Sequence, residues 1–142
     1  MAQILLIQRE RIFLNMHGRA LVKAGYDVIG KDDIDSGRRA LAAYRPSVVI
    51  CAFHGWFGEE DLGDIRALRA MRPDVPIIVL CYRIESPPAS DAMGSGASIV
   101  IQRELSSEQL IELVDRVCRW GDGRRSVETF SRPSGALVTV AT

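Results

Sequence analysis

Short apolar runs alternate with segments of helical periodicity along most of the chain. The apolar runs are "ILLI", "YDVIG", "PSVVICAF", "VPIIVLCY" and "ASIVI". Between them, apolar residues recur every three or four positions, and the first helix shows this pattern at Ile12, Met16 and Ala20. Strands that alternate with helices predict a parallel sheet with right-handed crossovers. The third run is apolar from Val48 to Phe53, which is typical of a central strand covered on both faces.

Capping residues mark the ends of several predicted helices. Gly25 stands where a left-handed residue would end the first helix. Asp35 and Ser36 are candidate caps for the second helix, and Ser106 with Gln109 forms a capping-box pattern at the last. The segment "ESPPASDAMGSGA" is rich in proline, glycine and serine, so we expect a short or irregular fourth helix.

The length of 142 residues fits one domain. The alternation of strands and helices covers residues 1–120, and the helical period stops after Trp120. In residues 121–142, the β-prone pieces "SVETF" and "ALVTV" flank "SRPSG" and allow a short hairpin. We favour the alternative, a mobile C-terminal tail.

Composition and charge exclude several classes of protein. Eighteen basic residues balance eighteen acidic ones, so no net charge draws the chain to nucleic acid or to an anionic membrane. No apolar run approaches the roughly 20 residues of a transmembrane helix, and the N-terminus lacks the basic region of a secretion signal. None of Cys51, Cys81 and Cys118 stands in a metal-ligand spacing. We therefore expect reduced thiols in a cytoplasmic protein.

The order and spacing of these segments resemble the receiver domain of bacterial response regulators. The resemblance rests on "ILLI", "LVKAGYDV", "YRPSVVI", "PIIVL" and "GASIVI…LSSEQLIELV", and it extends from Gln3 to Trp120. It implies an α/β fold of the flavodoxin-like (CheY-like) class. In that fold, helices cover both faces of a five-stranded parallel sheet with strand order 2-1-3-4-5.

The family transfers a phosphoryl group to an aspartate, and the resemblance assigns the positions that do so. An acidic pair after the first strand and the acceptor at the end of the third hold Mg²⁺. A hydroxyl residue after the fourth strand and a lysine after the fifth hold the phosphate. The acidic pair is replaced by Gln8 and Arg9, the acceptor by Ala52, the hydroxyl residue by Cys81 and the lysine by Arg103. The family's aromatic switch residue corresponds to Val100, and the proline after the lysine corresponds to Glu104. These departures imply a degenerate pseudo-receiver without a phospho-acceptor, a metal site or a catalytic residue.

This interpretation predicts a phosphorylation-independent protein-interaction module in bacterial two-component-type signal transduction, the setting of phosphorelays. The expected partner is an unidentified signalling protein that docks on the fourth helix, fifth strand and last helix, or else a second copy of the chain. We expect no cofactor and no nucleic acid or membrane partner. We also expect no enzyme activity, because "IQRERIF" has no glycine-rich loop to hold a phosphate.

The vacated position above Ala52 leaves an alternative function open, a sensor of small anionic ligands. Arg9 and Arg103 could form an anion pocket there, since the acids are gone. The other interpretation is that the arginines pair with acids at the surface, namely Glu10, Glu59, Glu60 or Glu104.

Several other residues near this position invite a functional interpretation. Cys81 could line the pocket as a sensing thiol whose pKa the arginines lower, whereas strand alternation would turn Cys51 to the opposite face. His54 fits an exposed loop residue better than a ligand. Trp56 and Phe57 fit either an interface or a lid over the pocket.

Overall fold

The computed structural model describes residues 2–53, 58–81, 89–102 and 104–119, and two further strands at 128–131 and 137–140. The strands are β1 (Gln3–Gln8), β2 (Asp27–Lys31), β3 (Val48–Phe53), β4 (Ile77–Cys81), β5 (Ile99–Ile101), β6 (Glu128–Ser131) and β7 (Leu137–Val140). The helices are α1 (Arg11–Lys23), α2 (Ile34–Ala43), α3 (Glu59–Met71), α4 (Ala89–Ser95) and α5 (Ser107–Cys118). None of these helices is long and apolar enough to cross a membrane.

The first five strands form a parallel sheet in the order β2-β1-β3-β4-β5, as predicted. The register aligns Gln8 with Ala52, and Phe53 with Cys81, on neighbouring strands. The carboxyl ends of β1, β3 and β4 therefore meet at one edge of the sheet. Ligand sites of open parallel sheets are found at this edge.

The central strands β3, β4 and β5 are continuously apolar and almost entirely buried, as is typical of strands that helices cover on both faces. One core cluster lies under α2, α3 and α4 and includes Leu41, Ile65 and Ala92. The other lies under α1 and α5 and includes Leu21 and Val114. In α1 the predicted apolar pattern is only partly buried: Leu14 and Leu21 pack on the sheet, whereas Ile12 is 78% exposed and Met16 is 44% exposed.

Three of the predicted helix ends can be compared with the structure. Gly25 has a φ of 104°, the left-handed conformation expected after α1. At α5, Gln109 N–H donates to Ser106 Oγ at 3.1 Å, and Ser106 N–H donates to Gln109 Oε1 at 3.0 Å. The prediction for α2 was wrong, because its cap is Asp33, which accepts from Ser36 N–H at 2.6 Å. Asp35 lies in the first turn instead, where its charge faces the positive end of the helix dipole.

Arg69, near the end of α3, fixes the junction between α3, β4 and β5. Its guanidinium donates to Ser98 Oγ at 3.1 Å and to backbone carbonyls at 2.6–3.1 Å, those of Arg72, Pro73, Val75 and Gly96. Gly96 has a φ of 127°, and a Cβ there would lie 2.7 Å from Arg69 Cβ. The close approach of Arg69 to the backbone at position 96 therefore requires glycine there.

The fourth helix is short, as its composition predicted: α4 has 7 residues. Beyond α5, β6 and β7 form an antiparallel pair, and β7 also pairs antiparallel with β5. β6 overlaps the first of the two β-prone pieces that suggested a hairpin, and β7 lies within the second. The mobility that we expected of residues 121–142 stays a prediction.

Candidate functional site

The candidate site lies where β1 and β3 end, and Gln8 occupies the first of its positions. Gln8 is buried, with 1% of its surface exposed. Its Oε1 accepts a hydrogen bond from Glu10 N–H at 3.0 Å. Gln8 thus stabilises the chain where it leaves β1 for α1. Its side chain is a neutral amide, so this role needs no bound metal ion.

Arg9 extends over the loop side of the sheet and is held by acids of α3. Its Nη2 lies 3.1 Å from Asp61 Oδ1 and 3.9 Å from Asp64 Oδ2, and its Cζ lies 5.8 Å from the centre of the Phe53 ring. The Arg9 side chain is 55% exposed, whereas that of Asp61 is 6% exposed. Asp61 also accepts from Gly58 N–H at 2.8 Å, which caps the start of α3. Both partners differ from the acids that we expected from the sequence.

The charge of this cluster is acidic rather than cationic. Burial raises the pKa of Asp64, the neighbouring Asp61 carboxylate raises it further, and Arg9 opposes both. One arginine therefore faces two carboxylates, so its charge is already balanced. This arrangement removes the support that Arg9 was expected to give to an anion pocket.

A small cavity of about 10 Å³ lies between β3 and α3, room for roughly one water molecule. Its lining is largely apolar: Ile7, Arg9, Ile34, Cys51, Ala52, Phe53, Asp64, Ile65 and Leu68. Cys51 and Ala52 pack on opposite faces of the sheet, as strand alternation predicted. Both nevertheless border this cavity, so Cys51 is not excluded from it as we expected.

Cys81 does not border the cavity and is fully buried in the core beside Val100. Its Sγ donates to Ile101 O at 3.7 Å. Burial raises the pKa of the Cys81 thiol to about 12, so the expected lowering by arginines was wrong. Burial, with the charges of Asp64 and Asp61, raises the pKa of Cys51 to about 12 as well.

We expect Cys118 to be the most reactive thiol of the native protein. The pKa is raised for all three thiols, but Cys51 and Cys81 are buried whereas Cys118 is partly exposed. Because a reagent must reach the thiol, a maleimide at pH 7.5 should modify Cys118 first and the other two only after unfolding. Peptide mass spectrometry would locate the label, with Cys118→Ser as the control. Rapid modification of Cys81 in the native state would restore the thiol-sensor interpretation.

Arg103 lies outside the described residues, as do His54, Trp56 and Phe57. Glu104, which follows Arg103, is exposed. No group of three or more His, Cys, Asp or Glu side chains within the described part of the chain could hold a metal ion. Analysis of the sequence missed Asp61 and Asp64. Their signal is the run of acids in "GEEDLGD", which opens the helix that follows β3.

No family model matches the chain, and no curated protein matches it in sequence. Solved structures do match. The chemotaxis response regulator CheY4 of Vibrio cholerae is 21% identical with a TM-score of 0.70, over 82% of this chain and 98% of that one. A CheY-like receiver domain protein from Methanospirillum hungatei JF-1 is 14% identical with a TM-score of 0.75, over 83% and 94%.

A two-component response regulator from Clostridium difficile also matches the chain in structure, with 16% identity and a TM-score of 0.74. The alignment covers 84% of this chain and 97% of that one. Identities this low bear on the fold and not on the chemistry. The chain therefore has the flavodoxin-like fold of the CheY-like response regulator receiver domains.

Proposed function

We infer that the chain is a pseudo-receiver: a protein-interaction module of two-component-type signalling that acts without phosphorylation. The observation that carries this proposal is the charge at the end of β1 and β3. Ala52 offers no carboxylate to a phosphoryl donor. On the neighbouring strand β1, Gln8 lies opposite Ala52, and the next residue, Arg9, is paired with Asp61. A carboxylate attacks phosphate only when a divalent cation offsets the repulsion. Here Gln8 offers a neutral amide where an acidic ligand would be needed, and the Asp61 and Asp64 carboxylates are already paired with Arg9.

The sensor of small anions has weaker support. Arg9 is committed to two aspartates, and the cavity beside Ala52 has the volume of one water molecule. A phosphate or a carboxylate ligand would have to displace Asp61 from Arg9 and enlarge the cavity. We therefore keep this function as the alternative and not as the conclusion.

The α4–β5–α5 face remains the proposed docking site for a signalling partner. The outer edge of β5 already pairs with β7, so a partner on this side would contact the helices and not extend the sheet at β5. The outward side of α5 presents charged residues, among them Glu108, Glu112 and Arg116. Such a surface suits a reversible, polar interface.

We expect no phosphorylation of the wild-type chain by acetyl phosphate with Mg²⁺. Intact-protein mass spectrometry should show no phosphoryl adduct, and fluoroberyllate should not shift the amide NMR signals of Ala52 and Cys81. A receiver domain with its acceptor aspartate serves as the positive control. The variant Ala52→Asp should also stay unmodified, since Gln8 and Arg9 cannot hold the ion. A stable adduct on the wild type would refute the proposal.

The interaction itself is tested by affinity capture from the native cell with two baits, the wild type and Glu112→Lys. Glu112 is exposed on α5, so its reversal should leave the fold intact and change only the surface. A partner retained by the wild type and lost by Glu112→Lys would support docking at α5. Equal capture by both baits would place the partner elsewhere.

A further inference from the structure

Among the described strands, β2 forms one edge of the sheet and β6 forms the other. β2 pairs with β1 on one side, and it ends the sheet as far as the described strands extend. The opposite side of the parallel sheet differs, because β7 pairs with the outer edge of β5. An edge strand with unpaired backbone groups is a template for another strand.

The backbone groups of β2 that point outward can be identified. Asp27 N–H donates to Ala2 O at 3.1 Å, so Asp27 points its backbone groups toward β1. Since a strand alternates with a period of two, Ile29 and Lys31 do the same. Val28 and Gly30 therefore direct their N–H and C=O groups away from the sheet.

Shallow grooves follow the same edge on both faces. One of 450 Å³ lies between α1 and β2, one of 350 Å³ lies beside the end of β2, and one of 230 Å³ lies along α2. Gly30 borders the first and second of these grooves, and Lys31 borders the second and third. Val22 in the first groove is 57% exposed, and Tyr44 in the last is 49% exposed. An added chain would cover apolar surface on each side of the edge.

The sequence of β2, "DVIGK", is self-complementary when it is read in the antiparallel direction about Ile29. Such pairing places Asp27 opposite Lys31 of the partner subunit, and Val28 opposite Gly30 of the partner subunit. Opposite charges directly across a strand pair are favourable, and like charges are not. Parallel pairing would place Asp27 against the partner's Asp27, so the antiparallel arrangement is favoured.

The backbone pattern agrees with this register. In antiparallel sheets, directly opposed residues alternate between pairs that exchange both backbone hydrogen bonds and pairs that exchange none. The register places Val28 and Gly30, whose backbone groups point outward, opposite each other as the bonded pairs. Ile29 and the charged pairs occupy the non-bonded positions, where side chains lie closest.

The Asp27 carboxylate has room for a second hydrogen-bond partner. Asp27 already accepts from Gln3 Nε2 at 3.0 Å through Oδ2. Its other oxygen can accept from a lysine, because an ionised carboxylate has several acceptor sites.

We propose that two copies of the chain associate through antiparallel β2–β2 pairing, with Asp27 of each copy opposite Lys31 of the other. The product is a two-fold dimer with one continuous sheet, in which each open β2 edge closes the other. This dimer is independent of phosphorylation and leaves the α4–β5–α5 face free. The proposal therefore stands or falls separately from the function proposed above.

Charge exchange at the edge tests the proposal. Sedimentation equilibrium of the full-length wild type should show a monomer–dimer equilibrium. Asp27→Lys and Lys31→Asp should each weaken the dimer roughly tenfold or more, because each places like charges opposite at both ends. An equimolar mixture of the two variants should regain a one-to-one heterodimer, since every opposed pair is then attractive. Glu112→Lys, on α5, should dimerise as the wild type does.

Both edge variants should keep the circular dichroism spectrum and the melting temperature of a folded domain, because Asp27 is exposed and Lys31 is partly exposed. A wild type that stays monomeric at every concentration would overturn the proposal. So would a dimer that is insensitive to both reversals, or a mixture of the two variants that does not regain the heterodimer. Loss of dimerisation in Glu112→Lys alone would assign the interface to α5 instead.

Discussion

Replacing Arg69 with lysine is expected to lower the free energy of unfolding by about 2–3 kcal/mol. The guanidinium donates in several directions at once, to carbonyls of the α3–β4 turn, to Gly96 O and to Ser98 Oγ. A lysine ammonium has three donors at one point and cannot span these acceptors. Carbonyls that lose their donor in a part-buried site carry the cost of desolvation.

Urea unfolding followed by circular dichroism measures this effect. Arg66→Lys is the matched control, because Arg66 lies on the same helix and donates to a single side chain, Ser95 Oγ, at 3.2 Å. We expect the control to lose less than about 1 kcal/mol. If Arg69→Lys were as stable as Arg66→Lys, the hydrogen bonds of Arg69 would contribute little, and Gly96 would be the main constraint on this junction.

The sheet and its helices could be predicted from the sequence because burial imposes a visible pattern. Strands that are covered on both faces read as continuous apolar runs, and the helices show a period of three to four. The strand order came from the resemblance to receiver domains, since the pattern by itself does not order parallel strands. Asp33 shows the limit at a helix end: three aspartates stand within four positions, and only the backbone geometry decides which one caps.

The candidate site was less predictable, because its geometry depends on contacts between distant segments. The positions of Gln8, Arg9 and Ala52 were assigned by the resemblance, but the partners of Arg9 were not. Asp61 and Asp64 are three residues apart on α3 and therefore share one side of the helix. Whether that side faces β1 depends on how α3 packs on the sheet, which Ile65 and Leu68 determine from the core.

The largest loss of stability is expected when an aspartate is placed at position 52, where receiver domains have their phospho-acceptor. Ala52→Asp should lose about 2–4 kcal/mol of stability at pH 7, because position 52 is 3% exposed and the nearby cavity has room for only about one water molecule. Arg9 is already shared by Asp61 and Asp64, so the new carboxylate adds a third negative charge to one cation. Thermal unfolding with and without Mg²⁺ measures the loss, and Mg²⁺ should not reverse it.

Ala52→Asn separates charge from size in this experiment, since the amide has the same shape without the charge. Burial and neighbouring acids should raise the pKa of the new carboxyl in the folded state above its unfolded value of about 3.9. Below that pH, both variants are neutral at position 52 and should be equally stable. As the pH rises, Ala52→Asp should fall below Ala52→Asn, and the gap should become constant above the folded-state pKa. Equal stability of the two variants at pH 7, or selective stabilisation of Ala52→Asp by Mg²⁺, would show that this edge of the sheet still accommodates a phospho-acceptor and its ion.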